Sequence, residues 1–308
     1  MKYDIEKDIK FLEKNGIIMG QWCDVDDDFY HNSPGISASG LKQIDKECPE
    51  TYKHAKDAGP QEKTEALIVG NAIHKFILEN DDFEDEFLFA PVDKKTDRKW
   101  KIFANEHKED PQIILRAKDG EMLNGILTSL RRPKDTSGTN TYDGIVINKN
   151  TTREKAIYVV DHERNIIIKV KVDINMDGMF LDLKSTKNAK PDIFMKDAAN
   201  LGYGIQAAFY INTARMAGEK ANMFGFIAVE KEAPYMHSVI ILEDNDIQLE
   251  MSKVNRLLDV YAWCLNNDNW YGYNGVDQAS GAQPLFVVKA MPSWHRYALE
   301  EANNFEGN

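Results

Sequence analysis

Three features of the chain predict an α+β fold. Apolar residues recur at helical spacing up to about residue 140. A β-branched block, IIIKVKV at 166–172, then leads into an Asp-Gly turn signal at 177–178. Helix and strand patterns alternate after that to about residue 265. The 308 residues are 43% apolar and 29% charged, which is enough to build a core and excludes wholesale disorder. The length allows one large domain or two modest ones. The element order favours one domain, with a mainly helical portion over 1–140, a sheet-bearing core over 141–275 and a tail over 276–308.

The elements follow in order. Residues 1–35 are polar and broken up, with acids at Asp24, Asp26, Asp27 and Asp28. In ISASGLKQI, Ser37 or Ser39 caps a helix beginning near Gly40. The spacing of Leu67, Ile68, Ala72, Ile73, Phe76 and Ile77 predicts a helix over 64–78. ENDDFEDE at 79–86 holds six acids in eight positions and reads as a solvated loop. Helices follow over 98–107 and 118–130, then a turn-rich loop over 131–141. From Asp143 the pattern turns to strands: 156–160, 166–172 and 180–184. One long helix is expected over 194–217, ended by Gly218. Strands over 224–229 and 237–242, a helix over 246–265 and a fraying tail complete the chain.

Composition excludes some functions. Thirty-eight Lys and Arg against 50 Asp and Glu give a net charge of −12, which argues against a generally basic nucleic-acid coat protein. A local basic cleft stays open, because binding follows the local field. Cys23, Cys48 and Cys264 form no metal-type spacing, and so sparse a set suits a reducing cytoplasm. MKYDIEKDIKF has no apolar signal-peptide region, and no run approaches 18 apolar residues, so neither secretion nor a membrane is expected.

The chemistry concentrates in KVKVDINMDGMFLDLKST, residues 169–186. Residues two apart on a strand share a face, so Asp182 and Lys184 project together with Leu183 opposite. A hairpin turn at 177–178 returns Asp173 beside them. Two carboxylates and an ammonium suit a hard divalent cation and a phosphate substrate. Asp and Lys are common, so the spacing by itself fits a surface hairpin with an ordinary salt bridge better. Within 164–190 six basic residues exceed three acids, a local +3 in an acidic chain.

At these residues the sequence resembles the PD-(D/E)XK nuclease superfamily, and more narrowly the RecE-type exonucleases of phage and prophage recombination. Asp173 and DLK at 182–184 match the metal and lysine motif. FYHNSPGISASGLKQI at 29–44, GNAIHKFILE at 70–79, YGIQAAFY at 203–210 and FGFIAVEKEAPY at 224–235 match further family elements in order, with WYGY at 270–273 after them. The likeness covers about residues 28–275. The interval from Asp173 to Asp182 is shorter than in the family's best-known member, so the turn is tighter here.

The resemblance implies a mixed sheet flanked by helices and a Mg²⁺- or Mn²⁺-dependent exodeoxyribonuclease. The implied metal set is His74, Asp173, Asp182 and the Leu183 backbone carbonyl, joined by Glu154 in preference to Glu163. Lys184 would position the attacking water, with Gln206 and Tyr210 near the scissile phosphate or the DNA strand. The family digests linear double-stranded DNA 5′ to 3′ as a ring oligomer, a trimer or tetramer, and passes the 3′ overhang to a RecT-like single-strand annealing protein. An iron–sulfur nuclease is disfavoured, because it needs four cysteines. A non-catalytic DNA-end-binding scaffold, a structure-dependent endonuclease and an acidic DNA mimic are the competing readings.

Overall fold

Polar caps set the N-terminal helices in the computed structural model, which describes residues 3–59, 62–132 and 138–305. Asp4 opens α1 (Ile5–Lys14), accepting a hydrogen bond from the Lys7 N–H. After β1 (Trp22–Asp24), Asp26 caps α2 (Asp27–Asn32) through the Phe29 N–H. Ser37 caps α3 (Ala38–Lys46), and a proline starts α4 (Pro49–Ala58). Thr64 caps α5 (Glu65–Leu78). The short α6 (Phe83–Glu86) and β2 (Phe87–Phe89) precede α7 (Arg98–Glu106), β3 (Ile113–Leu115) and α8 (Ala117–Leu130). β2 and β3 pair in parallel.

The central sheet begins with β4 (Thr151–Asp161), β5 (Ile166–Met176) and β6 (Met179–Thr186). Asp177 and Gly178 both take positive φ, 51° and 85°, as a two-residue hairpin turn requires. α9 (Pro191–Asn200) and α10 (Tyr203–Met216) cross over to β7 (Met223–Glu230), followed by β8 (His237–Ile241), α11 (Asp244–Asn267) and α12 (Ser293–Phe305). The strand order is β1-β4-β5-β6-β7-β8, antiparallel except for β6 with β7. That parallel pair is the one a helical crossover serves.

Helices cover both faces, giving a mixed sheet flanked by helices as expected. Leu41, Phe194, Phe209 and Leu258 pack with Ile157, Val170 and Phe226 on one side. Ile73, Ile77 and Leu123 pack with Leu181, Leu183 and Ile227 in a second core. Leu12 and Tyr30 cover Ala156, Tyr158 and Ile167 in a third. The helical portion is stitched into the sheet: β1 pairs with β4, and Ile36 bridges to Ile168. Among the described residues no helix is long and apolar enough to cross a membrane.

Several local expectations need correction. The helix expected over 194–217 is two helices, broken at Gly202, whose φ of 66° is left-handed. The 79–86 loop holds a 3-10 turn at Asn80–Asp82 and α6, because Phe83 is buried against Phe76 and Phe87. Residues 1–35 contain α1, β1 and α2 rather than irregular chain. Residues 142–146 form a π-helical turn, so the strand-rich region expected from Asp143 begins with β4 at Thr151. The loop at 131–141 falls partly on 133–137, which lie outside the described residues.

Candidate active site

The site forms where the β5–β6 hairpin opens. The ladder runs from Met176 and Met179 to Ile174 and Leu181 and ends there. In that register Asp173 faces Asp182. Instead of extending the ladder, the Leu183 N–H donates to Asp173 Oδ2 at 2.8 Å. On the other edge of β5, the pairs Arg153–Ile174 and Lys155–Val172 flank Glu154 and Asp173, so these two also stand opposite each other. Three carboxylates therefore lie in a row across β4, β5 and β6.

The backbone is distorted along that row. Glu154 takes a φ of 53°, a left-handed conformation that non-glycine residues seldom occupy. Along β5 the pleat is interrupted as well. Val172 packs in the first core and Ile174 in the second, although residues two apart share a face in a regular strand.

α5 brings His74 to the row, its Nδ1 3.4 Å from Asp173 Oδ2. One ligand atom each of His74, Glu154 and Asp173 lies within 4.8 Å of the others. Lys171 Nζ meets Glu154 Oε2 at 2.9 Å, while Glu154 Oε1 is buried with no hydrogen-bond partner. Burial raises the Glu154 pKa against the pull of Lys171. Burial, and then the charge of Asp182, push Asp173 up to about 7. Crowded carboxylates, one with an orphaned oxygen, fit a divalent cation, which would neutralise both and ligate that oxygen. The imidazole is tolerated better by Mn²⁺ than by Mg²⁺, whose ligands are nearly all oxygen.

Asp182 is engaged differently. It is 3% exposed, with Oδ2 2.5 Å from Lys184 Nζ and Oδ1 accepting from Gln206 Nε2 at 2.5 Å. Burial opposes the Lys184 ammonium, but Asp182 and Asp173 outweigh it and hold its pKa above the ordinary lysine value. Lys184 Nζ also lies 4.9 Å from the centre of the Tyr203 ring.

A cavity of about 1280 Å³ opens over the row. His74, Glu154, Asp173, Leu183, Lys184 and Tyr210 line it, whereas Asp182 and Gln206 lie behind its wall. The acidic runs line it too: Asp24 and Asp26–Asp28 from one, Glu79, Asp81, Asp82 and Glu86 from the other. Lys75, Lys155, Lys171 and Lys184 line the same space.

The structure thus brings together His74, Glu154 and Asp173 of the sequence-predicted metal set. Asp182 stands beside them, occupied by Lys184 and Gln206. Leu183 contributes its N–H to Asp173. Gln206, expected near DNA, is buried against Asp182, and Tyr210 faces the cavity. Glu163 sits in the β4–β5 turn, outside the cavity-lining residues. Sequence reasoning passed over Lys171 and Lys42. Lys171 had a signal, two positions before Asp173 on a strand. Lys42 approaches from α3, 5.3 Å from the Tyr203 ring centre, and burial and the Lys184 charge push it down to about 8.

Comparison with known proteins bears on the fold. The profile of the family described as "PDDEXK-like domain of unknown function (DUF3799)" matches residues 37–279. The crystal structure of a "Putative exonuclease" from Eubacterium rectale superposes with a TM-score of 0.52 at 17% identity, covering 86% of this chain and 93% of that one. No curated protein matches the sequence.

Proposed function

Because the chain belongs to the PDDEXK-like family DUF3799, we propose that it is a metal-dependent exodeoxyribonuclease acting on linear double-stranded DNA. One observation carries the reading: His74, Glu154 and Asp173 converge in the wall of one cavity, and Lys184, paired with the buried Asp182, lines the same cavity. The Eubacterium rectale protein's description and the likeness of the motifs to RecE-type exonucleases support exonuclease action. Digestion 5′ to 3′, a 3′ overhang for recombination, a ring-shaped trimer or tetramer, a RecT-like annealing partner and a cytoplasmic setting belong to the same proposal.

His74, Glu154 and Asp173 would hold Mg²⁺ or Mn²⁺, with Asp182 and the Leu183 carbonyl adjacent. Bound there, the cation would supply Lewis-acid stabilisation of the phosphate and a more acidic water. The protein's own groups do the rest. Lys184, kept charged by Asp182, orients the attacking water and offsets the charge that grows on the phosphate oxygens. Gln206 fixes the Asp182 carboxylate, and so the position of Lys184. Tyr203 limits the lysine's freedom by packing against its ammonium. No base-reading element accompanies these groups, so cleavage should depend little on sequence.

The test is digestion of end-labelled linear duplex with Mg²⁺ or Mn²⁺, set against a covalently closed circle. Steady loss of linear DNA from its ends, stopped by EDTA, with the circle intact, is the expected result. Rapid nicking of the circle that depends on Asp182 would replace this reading with an endonuclease.

A further inference from the structure

Lys171 stands between two features that the hydrolytic site alone does not connect. Two residues before it, Lys169 is 3% exposed, and its ammonium donates to the carbonyls of Tyr30 and Ser33 and to the Ser33 hydroxyl. The Tyr30 hydroxyl donates in return to the Lys169 carbonyl at 3.2 Å. These bonds fasten the far end of α2 to β5. The first turn of α2 then reaches over the site, and Asp27 Oδ1 lies 2.6 Å from Lys171 Nζ. The same ammonium is 2.9 Å from Glu154 Oε2. Lys171 is therefore shared between a half-buried site carboxylate and an outer one, with side-chain exposures of 16% and 58%.

We propose that Lys171 is the resting counter-ion of the cation site, and that Asp27 takes it over when a divalent cation binds Glu154. This rests on the reading of His74, Glu154 and Asp173 as the cation site. An ammonium and a divalent cation repel each other strongly on one partly buried carboxylate. Stripped of Glu154 and left alone, Lys171 would be a buried charge without a partner, which is costly. Asp27 removes that cost, because it already touches the ammonium and needs no large movement to keep it. Lys171 outweighs burial and holds Asp27 below the ordinary carboxylate range, so the receiving group is ionised. Asp27 is thus a positioning residue. It acts on the cation through Lys171, and the N-terminal acidic run gains a task at the site.

Isothermal titration of the full chain with Mn²⁺, without DNA, tests this independently of hydrolysis. Asp27→Asn should weaken Mn²⁺ binding by about three- to tenfold, the range of coupling between contacting residues. In a Lys171→Gln background the same Asp27→Asn change should alter binding by less than about twofold, because the ion it receives is gone. Equal weakening in both backgrounds would mean that Asp27 acts through its own field, and would overturn the proposal. So would an Asp27→Asn protein that binds as the wild type does. If Lys171→Gln fails to fold by circular dichroism, Lys171→Met supplies the background, and the wild-type comparison still decides. A wild-type chain that takes up no Mn²⁺ would instead remove the cation site itself, and this inference with it.

Discussion

Glu154 stands opposite Asp173 across the β4–β5 pair, held there at a φ of 53°. Strand residues do not need this conformation, and it costs about 1–3 kcal/mol where it occurs in a non-glycine residue. The cost falls where two carboxylates already repel each other and one oxygen is buried without a donor. Local strain, like charge and an orphaned acceptor coincide on one pair of residues. A structure built for stability alone would remove all three, which is why the proposed cation site is placed on this pair.

Glu154→Gln should therefore stabilise the metal-free protein. The substitution keeps the shape, removes one buried charge and leaves Lys171 with Asp27. A gain of about 1 kcal/mol is expected, with cation affinity lowered at least tenfold. Thermal unfolding in EDTA checks the first part. A melting temperature several degrees below the wild type would contradict it.

The same carboxyls set a pH dependence. Asp173 is raised to about 7 and Glu154 is raised as well, against unfolded values near 4. The folded protein then binds more protons than the unfolded chain between these values. This contribution to stability is complete below about pH 4 and is lost as pH rises through about 7. A bound cation needs both groups ionised, so its stabilisation should grow over the same interval. Melting temperatures from pH 5.5 to 8.5, with and without Mn²⁺, should diverge as pH rises. Parallel curves would show that these carboxyls do not bind the ion.

The contrast between Asp182–Lys184 and Lys171–Asp27 shows what the sequence could disclose. The first pair follows from strand period alone: two residues apart, one face, 2.5 Å between charges. The second joins positions 144 apart and exists only because α2 docks on β5, which no local pattern encodes. The missed break at Gly202 has a related cause. Apolar spacing runs on through Leu201 into Ile205, so periodicity alone continues the helix across a glycine that takes φ 66°. Phe83 hides similarly within an acidic run, whose charge outweighs a single buried ring in any reading of composition. Long elements and the hairpin motif were legible; short elements anchored by one tertiary contact were not.

Lys169→Met should loosen α2 from the sheet. The change strands the Ser33 carbonyl, which Lys169 Nζ now satisfies, and leaves the Tyr30 carbonyl with the Ser33 hydroxyl alone. A loss of about 1–3 kcal/mol is expected from the unpaired acceptor. Urea denaturation gives the magnitude, and limited proteolysis should show new cleavage between 24 and 36. Unchanged stability would mean that the segment is held by its apolar contacts alone.

Gln206→Ala tests whether the glutamine works on DNA or on Asp182. Its amide donates to Asp182 behind the cavity wall. The expected outcome is a rate lowered about tenfold or more at unchanged DNA affinity, with partial rescue in Gln206→Asn. A drop in DNA affinity at constant rate would place the side chain on the substrate instead.

Lys184 carries the sharpest expectation. Its ammonium reaches the cavity while resting on Asp182 and beside Tyr203. Lys184→Ala would leave a buried carboxylate without its cation, and a loss of stability of about 3–5 kcal/mol would confuse the result. Lys184→Gln is the cleaner change, because its amide can still donate to Asp182 while the charge is gone. The rate should fall at least a hundredfold, and affinity for duplex should change little, since one charge amounts to about one phosphate contact. Gel-shift titration in Ca²⁺ separates binding from cleavage. A Gln variant that cleaves within tenfold of the wild type would show that the Lys184 charge takes no part in hydrolysis, and would leave Lys184 as a structural counter-ion to Asp182.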